Sequence, residues 1–191
     1  VHDGARLPPL PEAGIASSGI VLRRYGPGDA AARLRLESSP GMDLWDADFR
    51  PATTQAEFDA WLAELRRRYA ASRGPCSVAV CTPRSTELIG DITFWRLRDR
   101  QDSAEVGIAL PPEARRQRWA TAAADAAVGW LHGTGFRRVE AHHVVGNDAA
   151  CFLARVSGMP VEGVLRGAFL HRADDGTTQW LDACAHASLA P

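Results

Sequence analysis

The sequence contains no lysine, so all 22 of its Lys-or-Arg positions are arginine. That removes Schiff-base chemistry and a lysine general base from what it can perform. No apolar run approaches the roughly 20 residues of a membrane-crossing helix. The opening "VHDGARLPPLPEAG" lacks the charged start and apolar middle of a secretory signal. The expectation is a cytoplasmic protein with no membrane partner. Cys76, Cys81, Cys151 and Cys184 show neither zinc-ligand spacing nor a disulfide framework. Free thiols and no bound metal are expected. An excess of one charge is missing too: the net charge of −1 lacks the basic footprint of a nucleic-acid binder.

What is present fits one ordinary globular domain: 191 residues, 46% hydrophobic and 24% charged. Residues 1–18 are rich in Pro, Gly, Ala and Ser without periodicity. They read as a loosely ordered arm or a packed extension ahead of a single domain over 19–191. "GIVLRRYGPGDA" reads as a strand and turn, with Asp29 placed to cap a helix over about 29–38. Thr53 or Thr54 caps a second helix in which Phe58, Trp61, Leu62 and Leu65 recur at helical spacing. The period then changes. "CSVAVC" and "ELIGDITFWRL" read as a hairpin, and "SAEVGIAL" as a third strand.

The next segment, "LPPEARRQRWATAAADAAVGW", turns from a loop into a long alanine-rich helix, with Arg115, Arg116 and Arg118 crowded at its start. "GTGF" stops it, and "RRVEAHHVV" reads as a strand, so strand, helix and strand form a right-handed crossover with a parallel pair. "DAACFLARVSG" is a further helix ended by Gly158, and the remainder closes as a hairpin turned at Asp174-Asp175-Gly176. A helix start offers unpaired amides and partial positive charge, and arginines add donors that match phosphate oxygens. The arginine turn therefore reads either as a pyrophosphate site or as a solvated helix start.

The strings "SAEVGIAL", "PPEARRQRWATAA" and "VVGNDAACFLARVSGMPVEGVLRGAF" together resemble the GNAT superfamily of N-acetyltransferases, in its ribosomal-protein branch. The similarity runs from about Ile20 to the end, with Asn147, Gly158, Glu162-Gly163 and Arg166 in the family's order and spacing. The resemblance implies an α/β fold with mixed α+β character. It would have a mostly antiparallel twisted sheet, a central parallel strand pair opened into a V, and helices on both faces. It also implies acetyl-CoA as acyl donor, lying in that V. The pantetheine amides would pair with Ile108, Ala109 and Leu110. The pyrophosphate would sit on the turn formed by Arg115, Arg116, Gln117, Arg118, Trp119, Ala120 and Thr121. Thr121 and Asn147 match positions that touch pyrophosphate and pantetheine. Glu105 matches the strand glutamate and is the expected base for direct attack of an amine on the thioester.

The sequence departs from the family at three places. Arg118 stands where the loop has its key glycine, and either clamps the phosphates or blocks them. Ala150 and Ala154 stand at the serine and tyrosine positions that supply a general acid. Other residues carry plain structural readings beside functional ones. Glu105 alone reads as a solvent-facing strand residue. Cys151 reads as an inert core thiol rather than a nucleophile. His142 and His143 fall on opposite strand faces, without metal spacing. Trp119 and Trp130, with Ala123 and Ala126 between them, read as a packing stripe.

In this branch the acceptor enters on the side lined by the loop between the first two helices. Here that loop carries Glu37, Trp45, Asp46 and Phe49, with Asp43 and Asp48 nearby. Such a mixture suits a cationic amine, such as a protein N-terminus, a polyamine or an amino-sugar, although it equally reads as a solvated acidic loop. The expected function is an acetyl-CoA-dependent N-acyltransferase. Binding without turnover, a different acyl carrier and a partner-binding domain remain open. Homodimers occur in look-alike families.

Overall fold

The computed structural model describes residues 7–39, 52–71, 75–85, 87–96, 102–172 and 176–191. Its strands are β1 (Ile15–Ser17), β2 (Ile20–Arg23), β3 (Cys76–Cys81), β4 (Leu88–Arg96), β5 (Ser103–Ala109), β6 (Arg138–Val144), β7 (Val161–Arg172) and β8 (Thr178–Leu189). The helices are α1 (Ala30–Glu37), α2 (Gln55–Ala71), α3 (Trp119–Gly133) and α4 (Asp148–Val156). The strands form one sheet in the order β1-β2-β3-β4-β5-β6-β8-β7, antiparallel throughout except between β5 and β6. This is the mixed sheet with a central parallel pair that the sequence implies. The parallel pair needs a crossover, and α3 supplies it.

Helices cover both faces because the strand residues alternate between two apolar clusters. Val78, Val80, Ile92, Phe94, Ala104, Val106 and Val139 pack with the alanine face of α3. Ala79, Cys81 and Leu88 pack with Leu36 of α1 and with Phe58, Leu62 and Leu65 of α2. Trp119 and Trp130 pack against the first cluster, Trp130 with its ring 5.2 Å from that of Phe94. Their stripe is packing surface, as its spacing implies.

Leu7 and Leu10 are buried in the same cluster, and β1 adds an edge strand to β2. The packed extension thus describes residues 7–17 better than a loose arm does. The apolar spacing of two leucines among prolines carries no period, which is why sequence patterning could not decide between the two.

Helix boundaries follow local chemistry, with one exception. Thr54 Oγ1 accepts the Glu57 N–H at 3.2 Å, while Glu57 accepts the N–H groups of Thr53 and Thr54 at 2.8 and 3.0 Å, a capping box. Gly135 (φ +101°) and Gly158 (φ +75°) adopt the left-handed backbone that ends α3 and α4. Asp29 stands at the head of α1 but does not cap it with its side chain. Its carboxylate takes a two-point bond from Arg23 at 2.8 and 2.7 Å and the Gly26 N–H at 2.7 Å. A guanidinium fork outcompetes helix amides for a carboxylate. The predicted closing turn lies mostly outside the described residues.

Candidate functional site

β5 and β6 pair only at Ser103 with Arg138, Ala104 with Val139 and Glu105 with Glu140. Beyond that point β5 continues along β4 as far as Ala109, and β6 continues along β8 as far as Val144. The two halves of the sheet therefore part at Glu105. Past the split, the edge of β5 that faces β6 has no ladder partner among the described residues, and an unpaired strand edge is a template for amide-bearing ligands. Ile108 and Ala109 lie in this stretch of β5, and Leu110 follows its end.

The arginine turn follows the free end of β5. Pro112–Ala114 form a short 3-10 turn with Ala114 buried, and Arg115 Nε donates to the Leu110 carbonyl at 3.1 Å. Arg116 and Arg118 have φ of +63° and +61°. The left-handed conformation costs a non-glycine residue about 1–2 kcal/mol. This explains why glycine suits the position of Arg118, and it shows that arginine fits there by accepting strain. Left-handed residues before a helix also produce concave arrays of backbone N–H groups that hold anions. Gln117 and all three arginines are exposed, and among the described residues Arg116 and Arg118 make no ion pair. Trp119, Ala120 and Thr121 form the first turn of α3, whose amides lack intrahelical acceptors.

At the vertex, Glu105 Oε1 lies 3.1 Å from His142 Nδ1. Both side chains are about four-fifths buried, at 24% and 17% exposure. The contact with Glu105 raises the His142 pKa above its ordinary value, against the lowering effect of burial. Sequence reading separated His142 from His143 by face but missed this partnership. The signal was present in the register: Glu105 is level with Glu140, and His142 follows two residues later on the same face. Beside them, Arg138 bonds both Glu140 and Glu162, joining β6 to the start of β7. Trp95 lies opposite Glu105 on β4 with its ring against Gly107.

The other expected residues are placed differently. Asn147 is the N-cap of α4, its Oδ1 accepting the Ala150 N–H at 3.1 Å, so its carbonyl end is already used. Glu37 is 7% exposed, with Arg33 at 2.6 Å on one oxygen and the Ala52 N–H at 2.6 Å on the other. Its two oxygens are held by Arg33 and Ala52, because the buried Arg33 needs a counter-charge. Trp45, Asp46 and Phe49, with Asp43 and Asp48, lie outside the described residues.

Neither tyrosine stands in for the missing general acid. Ala154 is buried in the core. The sequence has two tyrosines. Tyr25 donates to Asp91 Oδ2 at 2.7 Å and accepts from Arg33, and Tyr69 donates to the Ser77 carbonyl. Burial raises both phenol pKa values, so both stay protonated and occupied. His143 is buried on the opposite face of the sheet from Glu105, against His186.

A mixed sheet split at its one parallel pair, with a carboxylate at the vertex and a cationic helix start across the opening, defines an acyltransferase-type α/β domain. The chain belongs to the acetyltransferase (GNAT) domain family, which residues 20–160 match. A chain described as a probable GNAT-family acetyltransferase from Chromobacterium violaceum superposes with a TM-score of 0.77 at 23% identity, covering 100% of this chain and 92% of that one. The microcin C7 self-immunity acetyltransferase MccE, solved with acetyl-CoA and AMP, matches with a TM-score of 0.77 at 16% identity over 95% and 98% of the two chains. Mycobacterium smegmatis RimJ, solved with CoA-disulfide, matches with a TM-score of 0.75 at 21% identity over 90% and 82%. No curated protein matches the sequence.

Proposed function

We propose that the protein is an acetyl-CoA-dependent N-acyltransferase that acetylates a primary amine, either a protein N-terminus or a small cationic amine. The observation that carries this reading is the position of Glu105, held by His142 where the V opens. The bound acetyl-CoA and CoA-disulfide of two structural neighbours support a CoA-type donor. The donor fits what the chain offers: an unpaired β5 edge for amides, and a strained, cationic helix start for phosphates.

The donor supplies a thioester. Glu105 removes the proton of the incoming amine, and His142 fixes the carboxylate so that one oxygen faces the V. A backbone N–H of the free β5 edge stabilises charge on the acyl oxygen. The C–N bond forms, the C–S bond breaks, and the thiolate leaves without a tyrosine donor, because both tyrosines are engaged elsewhere. The proton taken by Glu105 passes to solvent. The site of action in this reading is the cytoplasm. No helix among the described residues is long and apolar enough to cross a membrane.

A second reading, a domain that binds CoA without turnover, is favoured by the same missing hydroxyls. Calorimetric titration with acetyl-CoA, followed by a thiol-release screen across peptide N-termini, polyamines and amino-sugars, separates the two. Multiple turnover with any amine establishes the enzyme. Tight CoA binding without turnover across the screen establishes the binder.

A further inference from the structure

On the sheet face away from Glu105, β6, α4 and β8 bring together residues far apart in sequence. His143 Nε2 lies 3.0 Å from His186 Nε2. His143 Nδ1 is 2.9 Å from the Val144 carbonyl, and His186 Nδ1 is 3.0 Å from the Met159 carbonyl. A carbonyl oxygen only accepts, so each Nδ1 must carry a hydrogen. A neutral imidazole has a single N–H, so each Nε2 then presents a lone pair. The two lone pairs point at one another in a site where His143 is 8% exposed and His186 fully buried. That arrangement is repulsive unless an electrophile lies between the nitrogens.

The electrophile is either a shared proton or a metal ion, and the third neighbour distinguishes them. The Cys151 sulfur and one ring nitrogen of each histidine form a group whose members all lie within 4.8 Å of one another. A proton bridge has no use for a thiol, whereas zinc-type ions favour nitrogen and sulfur together. At the usual zinc–nitrogen length, tetrahedral geometry sets two coordinating nitrogens about 3.3 Å apart, close to the separation seen here. The Nδ1-to-carbonyl bonds are the second contact that fixes metal-bound histidines in the required tautomer. Cys184 stands level with His143 in the ladder and two residues before His186, so a second thiol sits on the same face of the sheet.

We propose that His143, His186 and Cys151 bind one divalent transition-metal ion of the zinc type, pinning α4 to β6 and β8. Sequence spacing hides the site, because its ligands come from two strands and a helix. It stands independently of the acyl-transfer reading.

The test is titration of the full chain, stripped with a chelator, with cobalt(II) as a spectroscopic probe. The expected result is one ion per chain, with thiolate-to-cobalt absorption in the near ultraviolet and the strong visible bands of a tetrahedral site. Zinc displaces the cobalt and raises the melting temperature. Cys151→Ser and, independently, His143→Gln lower the cobalt affinity by about tenfold or more and remove most of the zinc-dependent melting shift. Cys151 is only partly buried, which limits the packing cost of its substitution. Failure of the wild type to bind cobalt or zinc overturns the proposal and leaves the shared proton. Binding that neither substitution weakens overturns it as well, since the ion then sits elsewhere.

Discussion

Glu105 and His142 meet at the point where β5 and β6 separate, with His142 Nδ1 3.1 Å from Glu105 Oε1. Neither residue alone marks a site. Together they place an oriented carboxylate at the vertex of the only parallel pair in the sheet of described strands. Removing a general base costs about 10²–10⁴ in rate. Glu105→Gln is expected to lower kcat within that range while leaving the Kd for acetyl-CoA almost unchanged. His142→Gln, which removes only the orienting contact, lowers kcat less and leaves the acceptor KM nearly constant. Steady-state kinetics with the best amine from the screen checks both. Wild-type turnover by Glu105→Gln ends the base assignment.

Arg118 provides a prediction with two readouts of opposite sign. Its φ of +61° is relieved by glycine. Arg118→Gly is expected to stabilise the fold by about 1 kcal/mol, a rise of a few degrees in melting temperature. If the guanidinium holds phosphate, the same variant binds acetyl-CoA more weakly and with a shallower dependence on salt. Scanning calorimetry and titration at two salt concentrations read the two effects separately. A variant that is more stable and binds more tightly shows that Arg118 obstructs the donor.

Gly107 is needed because Trp95 lies over it. A Cβ at position 107 comes within 2.6 and 2.8 Å of the Trp95 ring. Gly107→Ala is expected to destabilise the protein by about 1–3 kcal/mol, the usual range for overpacking. The displaced ring stands opposite Glu105, so the acceptor KM rises as well. Urea denaturation and kinetics measure the two consequences.

Arg33 is the cation of a buried network. It donates to Asp91 Oδ2 at 2.7 Å and to Glu37 Oε1 at 2.6 Å, and its guanidinium lies 4.6 Å from the centre of the Trp61 ring. Arg33→Met leaves two carboxylates without their counter-charge, and breaking a buried pair in this way costs about 3–5 kcal/mol. A fall of that size in urea-derived stability is expected. A change below 1 kcal/mol means that solvent reaches the carboxylates.

The elements were legible because their signals are local. The apolar run "CSVAVC", the alanine-rich stretch of 119–133, the cap at Thr53 or Thr54 and the glycine stops at Gly135 and Gly158 each lie within a few residues. The arginine turn was legible as a helix start, and its left-handed residues were foreshadowed by the glycine that Arg118 replaces. Residues 7–17 escaped, because Leu7 and Leu10 reach the core from a segment with no period. Glu37 was placed by its charge, and charge alone does not reveal that Arg33 already occupies it.

The sequence by itself determined the order of elements, the single parallel crossover, the family and the position of Glu105. The order of elements and the crossover follow from local spacing, whereas the family and the assignment of Glu105 follow from resemblance. Only the tertiary structure decided the partners. His142 orients Glu105, Arg33 neutralises Glu37 and Asp91, and His143 faces His186 beside Cys151, because strand register and helix packing set distances between residues that sequence leaves unrelated. Pairing energies fall off over a few ångströms, so the chemistry of each group was fixed when folding chose its neighbour.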